Sequence, residues 1–133
     1  MFSDAEIQYL KSQRLARFAT ASSKGVPEVA PVAFEFDGEY FWVGSHDQTV
    51  FPTTRRYRNI TGGNDRVSLV VDDLASVIPW RPRGVQVNGK AEIMDHEGIF
   101  GKGRYVRVKP SVTSSWGVNP AAGARRSVKR WSS

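Results

Sequence analysis

The 133-residue chain contains no cysteine. That excludes a disulfide framework and a thiolate metal site, and it fits a reducing compartment. Histidine is almost as scarce. His46 and His96 stand alone with no H-x-E or H-E-x-x-H spacing, which argues against a zinc enzyme or any bound metal. No apolar run approaches the ~18 residues needed to span a bilayer. The opening MFSDAEIQYLKSQRLARF carries charges throughout, where a secretory signal needs an uninterrupted apolar stretch. The expectation is a soluble, cytoplasmic protein with no membrane partner.

Acid is missing from one region only. Residues 1–97 hold 11 Lys/Arg and 13 Asp/Glu, a net of −2, whereas residues 98–133 hold 8 Lys/Arg and no acid. The whole positive excess of the chain is therefore C-terminal. So local a patch suits one anionic ligand or partner better than a protein coated for wrapping nucleic acid.

Catalytic constellations are also sparse. Ser45-His46-Asp47 has the residue types of a triad, but three consecutive residues cannot form a relay, and no G-x-S-x-G elbow is present. His46 reads as a polar loop residue at a strand end. Asp72 and Asp73 are adjacent and face opposite sides of a strand, so they make a poor carboxylate pair and read as a solvated strand terminus.

What is present suits one mainly β domain spanning residues 1–133, with 40% hydrophobic residues to fill its core. Ser3-Asp4-Ala5-Glu6 has the form of a capping box, which predicts a helix over residues 4–13 within an N-terminal segment 1–14. Short β-type runs follow at 15–22, 29–36 and 40–44. Asp37-Gly38 between the last two is a strong hairpin signal. TTRRYRNIT predicts a second short helix over 53–61, with Thr53 as its N-cap and Gly62 ending it. Strands are expected at 66–71, ending at Asp72-Asp73, at 84–94, and at 105–108 with 112–116, interrupted by Pro110. Residues 118–133 read as an extended basic tail. About six short strands with two helices, and spacings too short for helical crossovers, point to a closed antiparallel barrel.

Thr53-Thr54-Arg55-Arg56-Tyr57-Arg58-Asn59 is the most informative stretch. Arginines in a helix's first turn oppose the positive end made by its free N–H groups, and a bound anion reverses that sign. Free N–H groups, threonine hydroxyls and guanidinium forks together can hold a phosphate, although a solvated basic helix face accounts for the same residues. Trp80 lies in Pro79-Trp80-Arg81-Pro82-Arg83, where the prolines exclude a central strand and the arginines exclude a core. An exposed tryptophan there fits either a dimer interface or a wall against a ring-shaped ligand. Arg125-Arg126 and Lys129-Arg130 read as a solvated end. Without interleaved aromatics they do not form a single-strand nucleic-acid binder.

The order of four blocks gives a family resemblance. LARFATASSKGVPEVAPVAFEFDG, RRYRNITGGNDRVSLVVDD, GVQVNGKAEI and YVRVKPSVTSSWG follow one another as in the pyridoxamine 5′-phosphate oxidase-like split β-barrel superfamily. Within it the chain resembles the oxidoreductases that use the deazaflavin coenzyme F420. The resemblance implies a split barrel of the FMN-binding type, a homodimer, and two cofactor sites between the subunits. Ser45, Thr54, Arg56 and Asn59 match positions around the cofactor phosphate and ribityl chain, with Thr53 and Arg55 beside them. Val29, Ala30 and Pro31 match the strand beside the deazaflavin ring, and Trp80, Arg81 and Arg83 would come from the second subunit. The arginine-rich C-terminal signature of true pyridoxamine phosphate oxidases is absent, which argues against the vitamin B6 reaction. Residues 93–105 are short compared with relatives that carry a helix there, which implies a more open substrate side.

The function so implied is hydride transfer between reduced F420 and an unsaturated small molecule. The alternatives are an FMN- or FAD-binding relative and a non-catalytic carrier of flavin or F420. No residue is singled out as catalytic. Solvent, Tyr57 or His46 could supply a proton.

Overall fold

The computed structural model describes residues 1–123 and 125–131. The elements run α1 (Asp4–Ser12), β1 (Leu15–Ala21), β2 (Pro27–Phe36), β3 (Phe41–Val43), a 3-10 turn (Phe51–Thr53), α2 (Arg55–Thr61), β4 (Arg66–Ser76), β5 (Arg81–Gly98), β6 (Gly101–Trp116) and β7 (Ser127–Arg130). The sheet order is β3-β2-β1-β4-β5-β6-β7, every pairing is antiparallel, and β3 also pairs with β6. That last pairing closes a six-strand barrel and leaves β7 outside on β6. No helix among the described residues is long and apolar enough to cross a membrane.

Strand alternation builds the interior. Ala16 and Phe18 from β1, Val32, Phe34 and Phe36 from β2, Val67, Leu69 and Val71 from β4, and Val85 and Val87 from β5 all point inward. Six of the seven phenylalanines are buried, and burial of each large side chain contributes ~1.5–3 kcal/mol. The hairpin at Asp37-Gly38 forms as its sequence requires. Gly38 adopts φ 102°, and the Asp37 carboxylate accepts from the Glu39 and Tyr40 N–H groups at 2.8 and 2.7 Å and from Trp42 Nε1 at 2.8 Å. The capping box closes as well: Glu6 N–H donates to the Ser3 hydroxyl at 3.2 Å and Ser3 N–H to Glu6 Oε1 at 2.8 Å.

Several sequence expectations are corrected. β4 does not stop at Asp72-Asp73 but runs to Ser76. Both acids are neutralised by remote partners, Asp72 by Arg17 at 3.0 Å and Asp73 by Arg83 at 2.7 Å. β5 begins at Arg81 and contains Pro82, which pairs only with β4 because β6 joins at Gly84. The missing proline N–H therefore faces no strand. Pro110 does not interrupt β6. A register shift between Asn88 and Gly89 absorbs one extra residue, and Gly89 is required because a Cβ there would strike the Lys109 carbonyl.

The basic tail is part of the fold. β7 adds to β6 with Arg130 opposite Val112 and Ser127 opposite Ser115. Trp131 packs its ring on Phe2 at 4.8 Å and donates from Nε1 to Thr113 at 2.9 Å. Lys129 forms an ion pair with Glu6, whose side chain is 5% exposed. Ala124, Ser132 and Ser133, also within the expected tail, lie outside the described residues.

Residues 93–105 form no helix. They extend β5 and β6 into a hairpin tip at Ile99-Phe100 that folds back over β2 and β3. Ile99 N–H donates to Glu35 at 3.2 Å, Arg104 N–H to Gln48 at 2.9 Å, and the His96 ring stacks on Trp42 at 3.7 Å.

Candidate functional site

Phe51, the first residue of the 3-10 turn, is wholly buried in the core and starts α2 at a fixed place. The N-cap is Thr54 rather than Thr53. Its hydroxyl accepts from Tyr57 N–H at 3.3 Å and donates to the Phe51 carbonyl at 2.8 Å. The Thr53 hydroxyl donates to the Val50 carbonyl at 2.6 Å. Both threonines thus spend their hydroxyl protons on the backbone. Tyr57 meets Phe51 edge-on at 5.0 Å, and Asn59 Nδ2 donates to buried Thr20 on β1 at 2.9 Å. These contacts seat the seven-residue helix on the barrel and aim its three arginines differently.

Arg55 and Arg58 are exposed. Arg56 is half-buried, its Nε is shielded from solvent, and its guanidinium makes no side-chain hydrogen bond among the described residues. Burial pulls its pKa below the ordinary arginine value, and the neighbouring Glu28 carboxylate only partly offsets this. Arg107 Nε is the other buried unpartnered side-chain nitrogen among the described residues, but Arg107 also binds Glu92 at 3.1 Å through Nη2. An unmet buried guanidinium donor costs ~1–3 kcal/mol or more unless something fills it. A phosphate oxygen is the matching acceptor. Ser45, buried two residues past the end of β3, sits in a turn in which its hydroxyl donates to the Asp47 carbonyl at 3.1 Å.

Glu28 leads directly into the second group. Val29, 67% exposed, lies opposite Ala19, and Pro31 lies opposite Arg17, with Ala30 half-buried between them. Pro31, Arg17, Asp72 and the end of α1 at Ser12-Gln13 line a cleft of 430 Å³. The cleft thus sets Pro31 beside the Arg17–Asp72 ion pair. Sequence reasoning did not single out Arg17 or Asp72 as site residues, although strand alternation places Arg17 outward beside Pro31.

The third group stands apart. Trp80, 66% exposed, and Arg81 line a different cleft of 470 Å³ with Pro82, Gly117 and Pro120, and none of these residues lines the Pro31 cleft. Arg83 is committed within its own chain. It holds Asp73 through two hydrogen bonds of 2.7 and 2.9 Å and lies over the Tyr9 ring at 5.1 Å. The Asp73 carboxyl is held below the usual range by the Arg83 bond, which together with the Tyr9 hydroxyl overcomes its partial burial. Among the described residues no cluster of three metal-ligating side chains occurs.

Comparison with known proteins bears on this arrangement. The pyridoxamine 5′-phosphate oxidase family profile matches residues 3–128. A 5a,11a-dehydrotetracycline/5a,11a-dehydrooxytetracycline reductase of Streptomyces rimosus is 31% identical over 121 residues, covering 88% of this chain and 84% of that protein. A solved F420 reductase superimposes with a TM-score of 0.61 at 18% identity, covering 84% of this chain and 98% of that one. A heme-binding protein from Mycobacterium smegmatis gives a TM-score of 0.69 at 18% identity, covering 98% of this chain and 59% of that one. At these identities the two structural likenesses establish the shared fold.

Proposed function

Because the chain belongs to the pyridoxamine 5′-phosphate oxidase family, we propose that it is an F420-dependent reductase acting on an unsaturated small molecule, with Arg56 as the anchor of the cofactor phosphate. The observation that carries this reading is the Arg56 Nε, buried and without a hydrogen-bond partner among the described residues, on a guanidinium close enough to feel the Glu28 carboxylate of β2. An oxidoreductase of this fold is supported by the dehydrotetracycline reductase relative, and F420 by the F420 reductase that shares the fold.

A bound deazaflavin supplies the hydride, so the protein's part is positioning and shielding. Arg56, with Ser45 and the α2 start at Thr54-Arg55, would hold the phosphate end. Asn59 keeps α2 against the barrel through Thr20. The exposed apolar side of β2 would lie along the ring, and Arg17 with Asp72 would border the place where substrate meets it. The same apolar face would be covered by a second copy of the chain, with the partner subunit's Trp80 and the partner subunit's Arg81 closing the ring pocket. Arg83, already bound to Asp73, would shape that turn rather than touch the ligand.

Equilibrium fluorescence titration against F420, FMN and FAD tests the cofactor. Saturable F420 binding is expected, and tight FMN binding without F420 binding would overturn the assignment. Turnover of reduced F420 with a panel of quinones, enones and nitroaromatics tests catalysis. Binding without turnover across the panel would favour a carrier.

A further inference from the structure

Arg56 does not stand alone at its end of the barrel. Asn59, one turn further along α2 and on the same helix face, donates to Thr20 on β1 at 2.9 Å. Thr20 lies directly opposite Glu28 in the β1–β2 pairing, and strand alternation puts both on the sheet face that also carries Phe18 and Val32. The Asn59 contact therefore brings the Arg56 face of α2 to the Glu28 end of β2. Both charged side chains are half-buried, and Glu28 is the carboxylate that acts on the Arg56 charge. Neither takes part in an ion pair among the described residues. The carboxylate thus biases the guanidinium without occupying its fork.

That placement limits the charge the anchor accepts. Around half-buried groups a neighbouring like charge is screened less than in open water. A phosphodiester, as in F420, brings a single negative charge, which one guanidinium balances. A terminal phosphate monoester, as in FMN, brings ~1.5–2 negative charges at neutral pH. The Glu28 carboxylate repels both, and it repels the monoester about twice as strongly, because the Coulomb energy scales with the product of the charges.

Resting on the reading of Arg56 as the phosphate anchor, we infer that Glu28 is a specificity-determining residue: it selects a singly charged phosphodiester over a terminal phosphate, and so F420 over FMN. Fluorescence titration of the full-length protein with F420 and with FMN at pH 7.5 tests this in wild type, Glu28→Gln, Glu28→Asp and Arg56→Ala. Glu28→Gln is expected to bind F420 about threefold and FMN about tenfold more tightly than wild type. Relief of about twice the repulsion squares the gain in affinity. Glu28→Asp, which keeps the charge, should stay close to wild type for both ligands. A purely structural role for Glu28 would move the two affinities by the same factor. Equal changes for the two ligands in Glu28→Gln, or no gain for FMN, would overturn the inference, while weaker F420 binding in Arg56→Ala would still uphold the anchor. F420 binding indifferent to Arg56→Ala would overturn the anchor, and this inference with it.

Discussion

Arg56→Ala is expected to weaken F420 binding about 10- to 100-fold while leaving the melting temperature of the ligand-free protein nearly unchanged. A hydrogen bond to a charged group contributes ~1.5–3 kcal/mol, and each ~1.4 kcal/mol is tenfold in affinity. The second half of the prediction separates a ligand anchor from a structural arginine. Among the described residues Arg56 makes no side-chain hydrogen bond, and its shielded Nε already carries the cost of desolvation. Alanine removes that cost together with some packing, and the two roughly cancel. Arg56→Lys should lose less affinity than alanine, because the charge stays while the planar fork is lost. Titration monitored by F420 fluorescence, paired with thermal melts, checks both halves. Full affinity in the alanine variant would move the phosphate elsewhere.

Lys129→Met is expected to destabilise the protein by ~2–3 kcal/mol at neutral pH. Removing one partner of a buried ion pair costs ~3–5 kcal/mol, and the lower figure applies because the Lys129 side chain is 30% exposed. Glu6 would remain buried, with its carboxylate accepting only from Ser115 at 2.6 Å and from the Ser3 N–H at 2.8 Å. At this chain length the deficit corresponds to roughly 7–11 °C in melting temperature.

The pH dependence gives the effect a signature. Burial alone pushes the Glu6 carboxyl up, but the hydrogen bonds from Lys129, Ser115 and Ser3 outweigh it and hold the group below the ordinary carboxylate value. A depressed carboxyl pKa contributes stability that is present above the unfolded value and lost as pH falls through the folded one. The wild-type protein therefore loses this contribution in acid. In Lys129→Met the main lowering bond is gone, so the gap between variant and wild type should narrow as pH falls below about 4.5. Thermal melts from pH 7 to 3.5 measure it. A gap that stays constant over that range would show that the loss comes from packing alone.

Local signals in the sequence were reliable where the structure that answers them is also local. Ser3 and Glu6 cap each other three residues apart, and Asp37 closes its own turn. The barrel was legible because alternation places Val85 and Val87 inward without reference to the rest of the chain. The misses share one cause. β7 reads as a charged tail because its four residues lack an apolar face, and what holds it is an acid 123 residues away. β4 reads as ending at two aspartates whose arginine partners lie on β1 and β5. Pro82 and Pro110 read as breakers until strand order shows which N–H groups had no neighbour to meet.

The candidate site was legible in kind but not in detail. Basic residues at a helix start marked the segment 53–59, yet sequence could not say which of Arg55, Arg56 and Arg58 turns inward. That depends on Tyr57 against Phe51 and Asn59 against Thr20, both contacts of the folded barrel. Nor could it show that Arg83 is bound to Asp73 while Arg81 is not.

A crystal structure of the protein with F420 tests the central claim most directly. The expected complex has a cofactor phosphate within hydrogen-bonding distance of Arg56 Nε, with the ring along Val29 to Pro31 and the partner subunit's Trp80 against it. A phosphate bound elsewhere, with Arg56 Nε still unpartnered, would contradict it.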